Sequence, residues 1–452
     1  MIQAIEEVLM KRWLWLLILV GILAGPVAAG DGTRELTLDQ ALKMALENNT
    51  GFEIQRQEVR MAKFRLRQNL GFLPKVNLSG AKNLDEKLMV LEMPSMVPGG
   101  EPTEVTLDFT MDYEFTFQIV QPVFTGGKIW HTFRNARLDV EMSQEKVKAG
   151  RDELVVNVTK TFHNLLVLNE LEKAHREARK LAQRNLKNVS VRNELGMASR
   201  YDLLRAQLNL RATEPDLLNV RKLIRLTREN LRHVVGLAPG TEVRATGKLS
   251  FQQINVDQAE LIRAALQNRS EIRQLELERR KAANLLKIAY AAYLPDLSIV
   301  AQYNYRSNAF RFVEGNWNDY YTINLSISLP IFTGLKRSGQ VGELRVLNKT
   351  LRMQAEELDE ATRIQIQNLC LTLEQEYQNI LSAEKSVETA QEGVRIAELN
   401  YEEGMITILE LNASYNSLTQ AKVARLQAMY NYTVAATELE KLTGVSLKGG
   451  EQ

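Results

Sequence analysis

A single cysteine in 452 residues rules out an internal disulfide, so nothing in this chain is stapled by oxidation. Proline is scarce too, ten in all. Charge of one sign is missing: 57 Lys and Arg stand against 55 Asp and Glu, a formal net charge of +2. No basic excess points to nucleic acid, and no acidic excess to a cationic partner. His131, His163, His175 and His233 lie scattered without metal-ligand spacing, and Cys370 has no histidine near it in sequence. No Gly-rich phosphate loop and no HExxH occurs. These absences argue against an enzyme and leave no cofactor or metal to assign. Beyond the N-terminus no run of about 18 apolar residues occurs, so any membrane crossing has to be a closed β-barrel.

What is present begins with a leader. Lys11 and Arg12 precede the apolar run Trp13–Val20, and small residues close it at Val27-Ala28-Ala29. That order makes residues 1–29 a secretory signal peptide cleaved after Ala29, too short to span a membrane. Glu6 and Glu7 are out of place in an n-region, which makes Met10 an alternative start. No cysteine near the cleavage site means no lipoprotein anchor.

The length suggests two or three domains, yet the mature chain reads twice. Asp39-Gln40-Ala41 returns as Asp257-Gln258-Ala259, and Leu73-Pro74 as Leu294-Pro295. Pro122-Val123-Phe124-Thr125-Gly126 returns as Pro330-Ile331-Phe332-Thr333-Gly334, Gly196-Met197 as Gly404-Met405, and Val235-Gly236 as Thr443-Gly444. The offset is about 220 before the strand region and 208 after it, the difference falling at an insertion around Pro94, Pro98, Gly99, Gly100 and Pro102. The expected layout is repeat 1 over 30–237, a linker over 238–255, repeat 2 over 256–445 and a tail over 446–452.

Each repeat switches its hydrophobic period. From Leu107 to Ile119 the odd positions are apolar and the even ones polar, which predicts a long half-buried strand. Tyr321–Leu329 alternates likewise, and shorter strands open at Val76 and Leu297. Four strands result, in hairpins of about 75–120 and 296–329, each opening after a proline (Pro74, Pro295) and closing at another (Pro122, Pro330). Elsewhere the period is helical. Lys128–Leu195 contains no proline and would span about 100 Å as one helix; Lys336–Glu403 behaves alike. Each is expected to meet a return helix near Gly196 or Gly404, with a kink at Pro215 in the first. Ala383, Val387, Ala390, Val394, Ala397 and Tyr401 form a small-residue coiled-coil seam.

A long exported coiled coil is the plain alternative, but it leaves the apolar strand face uncovered. Four strands are too few to close a barrel, since the smallest membrane barrels have about eight. The chain therefore has to oligomerise or bury the hairpins on its own helices. Tyr113, Phe115, Tyr303, Tyr305, Tyr320 and Tyr321 suit an interfacial aromatic belt, and the polar face suits a wet lumen.

The opening Leu36–Leu42, the Leu-Pro before each hairpin, and Gln121–Gly127 with its echo Leu329–Gly334 resemble the TolC-type outer-membrane efflux proteins (outer membrane factors) over nearly the whole mature chain. The resemblance implies an α+β membrane protein: a homotrimer whose 12-stranded β-barrel takes four strands per chain and continues as a long periplasmic α-helical barrel. It implies a passive exit duct in the outer membrane for a tripartite efflux pump or a type I secretion system. The partners implied are a periplasmic adaptor (membrane fusion) protein, an inner-membrane pump or ABC exporter, and outer-membrane lipid. The pore-gate residues it marks are Glu410, Asp202 and Tyr401, and adaptor docking falls at Gly196, Met197, Gly404 and Met405. Ile406 stands where relatives carry an arginine, and Ala413 where they carry a second acidic ring. The competing expectation is a periplasmic coiled-coil tether without channel activity.

Overall fold

The computed structural model describes residues 34–447 apart from 83, 85–88, 94–102, 108–111, 248, 250, 309 and 312–316. The leader and the Pro/Gly-rich insertion expected above lie outside the described residues. The chain begins with β1 (Arg34–Leu36), α1 (Leu38–Asn48) and α2 (Thr50–Gln68). Four strands follow: β2 (Lys75–Lys82), β3 (Met89–Met93), β4 (Thr103–Leu107) and β5 (Tyr113–Phe124). Then come α3 (Lys128–Glu194), α4 (Arg200–Val235) and β6 (Val243–Ala245). The second half runs α5 (Gln258–Asn268), α6 (Ser270–Ala291), β7 (Asp296–Ser307), β8 (Asn318–Ser328), α7 (Lys336–Glu402) and α8 (Ile408–Thr443).

Local signals start these helices as the sequence demands. Thr37 Oγ1 accepts from the Gln40 N–H at 3.4 Å while the Gln40 side chain accepts from the Thr37 N–H at 3.0 Å, a capping box at the head of α1. Asp257 opens α5 by accepting from the N–H groups of Ala259 and Glu260. The two halves then keep step: α3 and α7 each hold 67 residues, α4 and α8 each hold 36. Pro215 lies inside α4 and does not end it.

The chain divides into two compact units, each assembled from separate stretches. One comprises residues up to 50, 154–254 and 371–438. There β1 pairs in parallel with β6, Leu36 facing Ala245. Ala41 and Ala45 of α1 are fully buried, as are Val158 and Leu165 of α3 and Leu231 and Val235 of α4. The predicted small-residue seam is real packing: Val394 and Ala397 are buried with Leu411, Tyr415 and Leu418 of α8, and Val387, Ala390 and Tyr401 pack against them. Alanines at these positions let helix backbones approach closely, which a heptad of leucines would prevent.

The other unit comprises 51–153, 255–370 and 439 onward. Its helical core joins Leu261 and Ala265 to Ile366, Leu439 and Leu442, with Cys370 packed at the side. Burial pushes the Cys370 thiol above its ordinary value, in keeping with an inert packing role. The same unit holds a four-stranded antiparallel sheet in the order β2-β5-β7-β8. Its two hairpins meet through β5 and β7.

The strand expected from Leu107 is displaced. Leu107 belongs to β4, which pairs with β3 in a separate ladder, and β5 starts at Tyr113; residues 108–111 are not described. Strand β5 also runs past Pro122 to Phe124, with a register shift between Pro122 and Phe124. A proline has no N–H for the ladder, and a bulge at that point absorbs the loss. The alternation itself holds. Val76, Leu78, Phe117, Tyr303, Tyr321, Ile323, Leu325 and Ile327 share one face and are exposed, Tyr321 and Ile323 at 76% and 70%. Thr116, Gln118, Gln302, Asn304, Thr322 and Asn324 share the other.

Where β8 hands over to α7, one side chain organises the backbone. Arg337 donates to the carbonyls of Ala292, Pro330 and Ile331 at 3.0, 2.7 and 3.1 Å and to Thr333 Oγ1 at 3.0 Å. Its guanidinium lies 4.8 Å from the centre of the Tyr293 ring. Such charged bonds to otherwise loose carbonyls fix the strand-to-helix turn. Arg337→Ala is expected to cost about 3 kcal/mol locally, read as faster hydrogen exchange across 330–337, and Arg337→Lys should restore less than half of the protection.

Candidate gate at the helix tips

Both long helices stop in the same way. After α3, the Gly196 N–H reaches the Asn193 carbonyl at 3.0 Å and the Met197 N–H the Arg192 carbonyl at 2.7 Å. After α7, Gly404 and Met405 repeat this on Tyr401 and Asn400 at 3.1 and 2.8 Å. Gly196 and Gly404 have φ of 73° and 77°, a left-handed conformation that closes a helix at little cost only for glycine. Met197 and Met405 are left 69% and 63% exposed, apolar side chains presented to solvent at each turn.

The return helices start on capping boxes, and these contain the predicted gate carboxylates. Asp202 Oδ2 accepts from the Ser199 N–H at 3.1 Å and from its hydroxyl at 2.7 Å, while Ser199 Oγ accepts from the Asp202 N–H at 3.1 Å. Glu410 Oε2 accepts from the Thr407 N–H at 2.7 Å and its hydroxyl at 3.0 Å, and Thr407 Oγ1 accepts from the Glu410 N–H at 3.3 Å. Asp202 and Glu410 therefore occupy equivalent positions, 208 residues apart. The backbone N–H of Thr407, then its hydroxyl, hold the Glu410 carboxyl below its ordinary range. Ser199-x-x-Asp202 and Thr407-x-x-Glu410 carry the residue pattern of a helix start, a signal that sequence reasoning passed over.

Tyr401 packs against the apolar residues of both tips, with Val189 and Ala206 in one cluster with Ile408, and Leu411 in another. Burial raises its phenol, the Arg192 cation opposes that rise, and the Asp202 carboxylate adds to it. Arg192, in the last turn of α3, donates to the carbonyls of Tyr401 and Glu402 at 3.0 and 3.4 Å and lies 5.3 Å from the centre of the Tyr401 ring. Arg192 and Tyr401 thus form one direct tie, Asp202 adds only its charge to it, and both Asp202 and Glu410 are bonded to the heads of their own helices. Ile406, at the position where an arginine was expected, packs on the apolar seam instead, and Ala413 is exposed. Sequence reasoning missed Arg192. Its signal was a basic residue in the last turn of a helix, where free carbonyls draw cations.

A second feature was also missed. Asn412 Oδ1 accepts from Asn185 Nδ2 at 3.2 Å and from Asn209 Nδ2 at 2.8 Å, with Asn185 and Asn412 both buried. Close by, Tyr415 donates to Glu398 at 2.9 Å, and burial together with that carboxylate pushes its phenol far up. Buried amides that satisfy one another fix the register of neighbouring helices, because any slip strands them.

Among the described residues no three His, Cys, Asp or Glu side chains are placed to hold an ion, and no helix is long and apolar enough to cross a membrane.

Long paired helices joined to a small antiparallel sheet with an exposed apolar face are the architecture of outer-membrane channels. The Campylobacter jejuni CmeC outer membrane channel superposes with a TM-score of 0.77 at 17% identity, covering 91% of this chain and 87% of that one. The sequence profile described as outer membrane efflux protein matches residues 41–237 and again 261–445. The chain belongs to this family, which places it in the outer membrane with a helical periplasmic extension. The cobalt-zinc-cadmium resistance protein CzcC of Cupriavidus metallidurans is 24% identical over 379 residues, 81% of this chain and 86% of that protein. The outer membrane efflux protein BepC of Brucella suis is 20% identical over 438 residues, 94% of this chain and 88% of that one.

Capping and charge are separable at Glu410, because glutamine also completes a capping box. Glu410→Gln should leave hydrogen exchange at the head of α8 close to wild type, and Glu410→Ala should accelerate it. The pH dependence has a defined sign. The depressed carboxyl contributes above its unfolded pKa, and that contribution is lost as pH falls through the lower folded value. Exchange at the start of α8, corrected for its intrinsic pH dependence, should rise on acidification in the wild type and stay flat in Glu410→Gln.

Proposed function

We propose that three copies of this chain close a 12-stranded barrel and act as a passive exit duct for an efflux pump or a type I secretion system, with no enzymatic step. The observation that carries this reading is the open sheet. Strands β2 and β8 are its edges, one face is apolar and exposed, and four strands cannot close on themselves. Pairing β8 of one copy with β2 of the next satisfies both edges and puts the apolar face toward lipid. The equal lengths of α3 and α7 and of α4 and α8, with two separate matches to one family profile, support two tandem repeats over 30–237 and 256–445.

At the tips, Arg192, Tyr401 and Asp202 hold the end of α7 against the first helical hairpin, and Glu410 contributes an acidic ring at the entrance. The exposed Gly196-Met197 and Gly404-Met405 turns are the docking points for a periplasmic adaptor joined to an inner-membrane pump or ABC exporter. The resistance named for CzcC makes divalent metal ions the first cargo to test.

Purified protein should run as a heat-modifiable trimer, resist carbonate extraction from membranes and conduct ions in planar bilayers. Release by carbonate, with no conductance even in Arg192→Ala, would instead identify a periplasmic tether. Arg192→Ala should raise the open probability, and Glu410→Gln should abolish block by divalent cations; an unchanged block would remove Glu410 from the gate.

A further inference from the structure

The polar face of the sheet carries an opposed charge pair at the end farthest from the helices. Glu114 of β5, Arg306 of β7 and Asn318 of β8 form one row across three strands, the last row of the β7–β8 ladder. Arg306 Nη2 donates to Glu114 Oε1 at 2.7 Å, and its guanidinium lies 5.3 Å from the centre of the Tyr320 ring. Below this row Thr116 donates to Asn304 Oδ1 at 2.9 Å, with Asn304 buried. Two polar atoms of the same face, Arg306 Nε and Thr322 Oγ1, are buried with no hydrogen-bond partner among the described residues. The Arg306 and Glu114 side chains themselves keep 36% and 34% of their surface exposed, and half-exposed charges on this face fit contact with water, not hydrocarbon.

We propose that the Glu114–Arg306 pair is a charge-balanced filter at the outer mouth of the duct, which passes small ions of either sign. The inference rests on the trimeric channel proposed above, where threefold symmetry sets three such pairs around one lumen. A low-dielectric wall concentrates the field of any unpaired charge in a pore. Glu114 and Arg306 cancel at hydrogen-bond distance, so a passing ion meets three small dipoles. Removing one partner leaves three like charges facing each other. Tyr320 holds the guanidinium over its ring, which keeps Arg306 at the wall and out of the path.

The test is the reversal potential of purified trimer in planar bilayers under a potassium chloride gradient. At low salt, Arg306→Gln should shift the potassium-to-chloride permeability ratio toward potassium by about threefold, and Glu114→Gln toward chloride by a similar factor. The double variant should return near wild type. All shifts should shrink at 1 M salt, where the screening length is only about 3 Å. Conducting single variants with unshifted reversal potentials would overturn the filter while leaving the channel standing; a wild type without conductance would overturn the channel itself. Should the single variants fail to assemble, Asn324→Cys, exposed on the same polar face of β8, supplies the readout in a Cys370→Ser background. A cationic methanethiosulfonate added there should move selectivity toward chloride and an anionic one toward potassium, and no movement with either refutes the proposal.

Discussion

Strands β2 and β8 have hydrogen-bonding neighbours on one side only, and the rest of the molecule is arranged around that deficit. A backbone N–H or C=O left unpaired in hydrocarbon costs several kcal/mol. An open sheet with an apolar face therefore has no stable place in a bilayer as a single copy. Water does not suit it either, because Leu78, Tyr321, Ile323, Leu325 and Ile327 would all remain wetted. Closure with further copies relieves both problems together. The Arg337 clamp belongs to the same logic. It sets the direction in which β8 gives way to α7, and in the proposed trimer a sheet whose edges meet a neighbour's tolerates little wander at its roots.

In the proposed duct the helical unit meets a different demand, since a gate has to be stable and yet able to open. Its seam sets the small α7 residues Val394 and Ala397 against the large Leu411, Tyr415 and Leu418 of α8. Such a seam buries less area per turn and relies more on shape. The Asn185–Asn412–Asn209 set then fixes register where apolar contacts alone would permit sliding. Helices held by register pins and capped ends can rotate as bodies without unwinding, which is what a gate of helix pairs requires.

Much of this was readable from the residues. Periodicity alone placed the long helices to within a residue of α3 and α7, because propensity, pattern and the absence of proline agree there. The alternation in β5, β7 and β8 gave the two faces of the sheet correctly. The failures have physical causes. Leu107 continues the alternation of the strand that follows it, and alternation says nothing about which partner a strand takes, so its place in β4 was invisible. Pro122 looked like a terminator because the bulge that accommodates it depends on a neighbour 176 residues away, Ser298. Arg192 shows locally only as a basic residue in the last turn of α3, and its partners, the Tyr401 ring and carbonyl, come from another helix and could not be read from it.

The two tips are alike in backbone and unlike in charge, and the difference assigns their roles. Both close on a left-handed glycine and restart on a capping box whose carboxylate is already occupied by a hydroxyl and an N–H. Asp202 and Glu410 are thus each engaged by the start of the helix they cap. What distinguishes the first tip is Arg192, whose counterpart 208 residues on is Asn400. Asparagine lacks both the cation and the reach to stack on a ring. The tie consequently runs one way, from the end of α3 to the end of α7, and no matching tie runs back from Asn400. In the proposed gate, a hinge fastened on one side only has a defined direction of release: the second hairpin would move on loss of the Arg192–Tyr401 tie, with the first hairpin as the post it moves against.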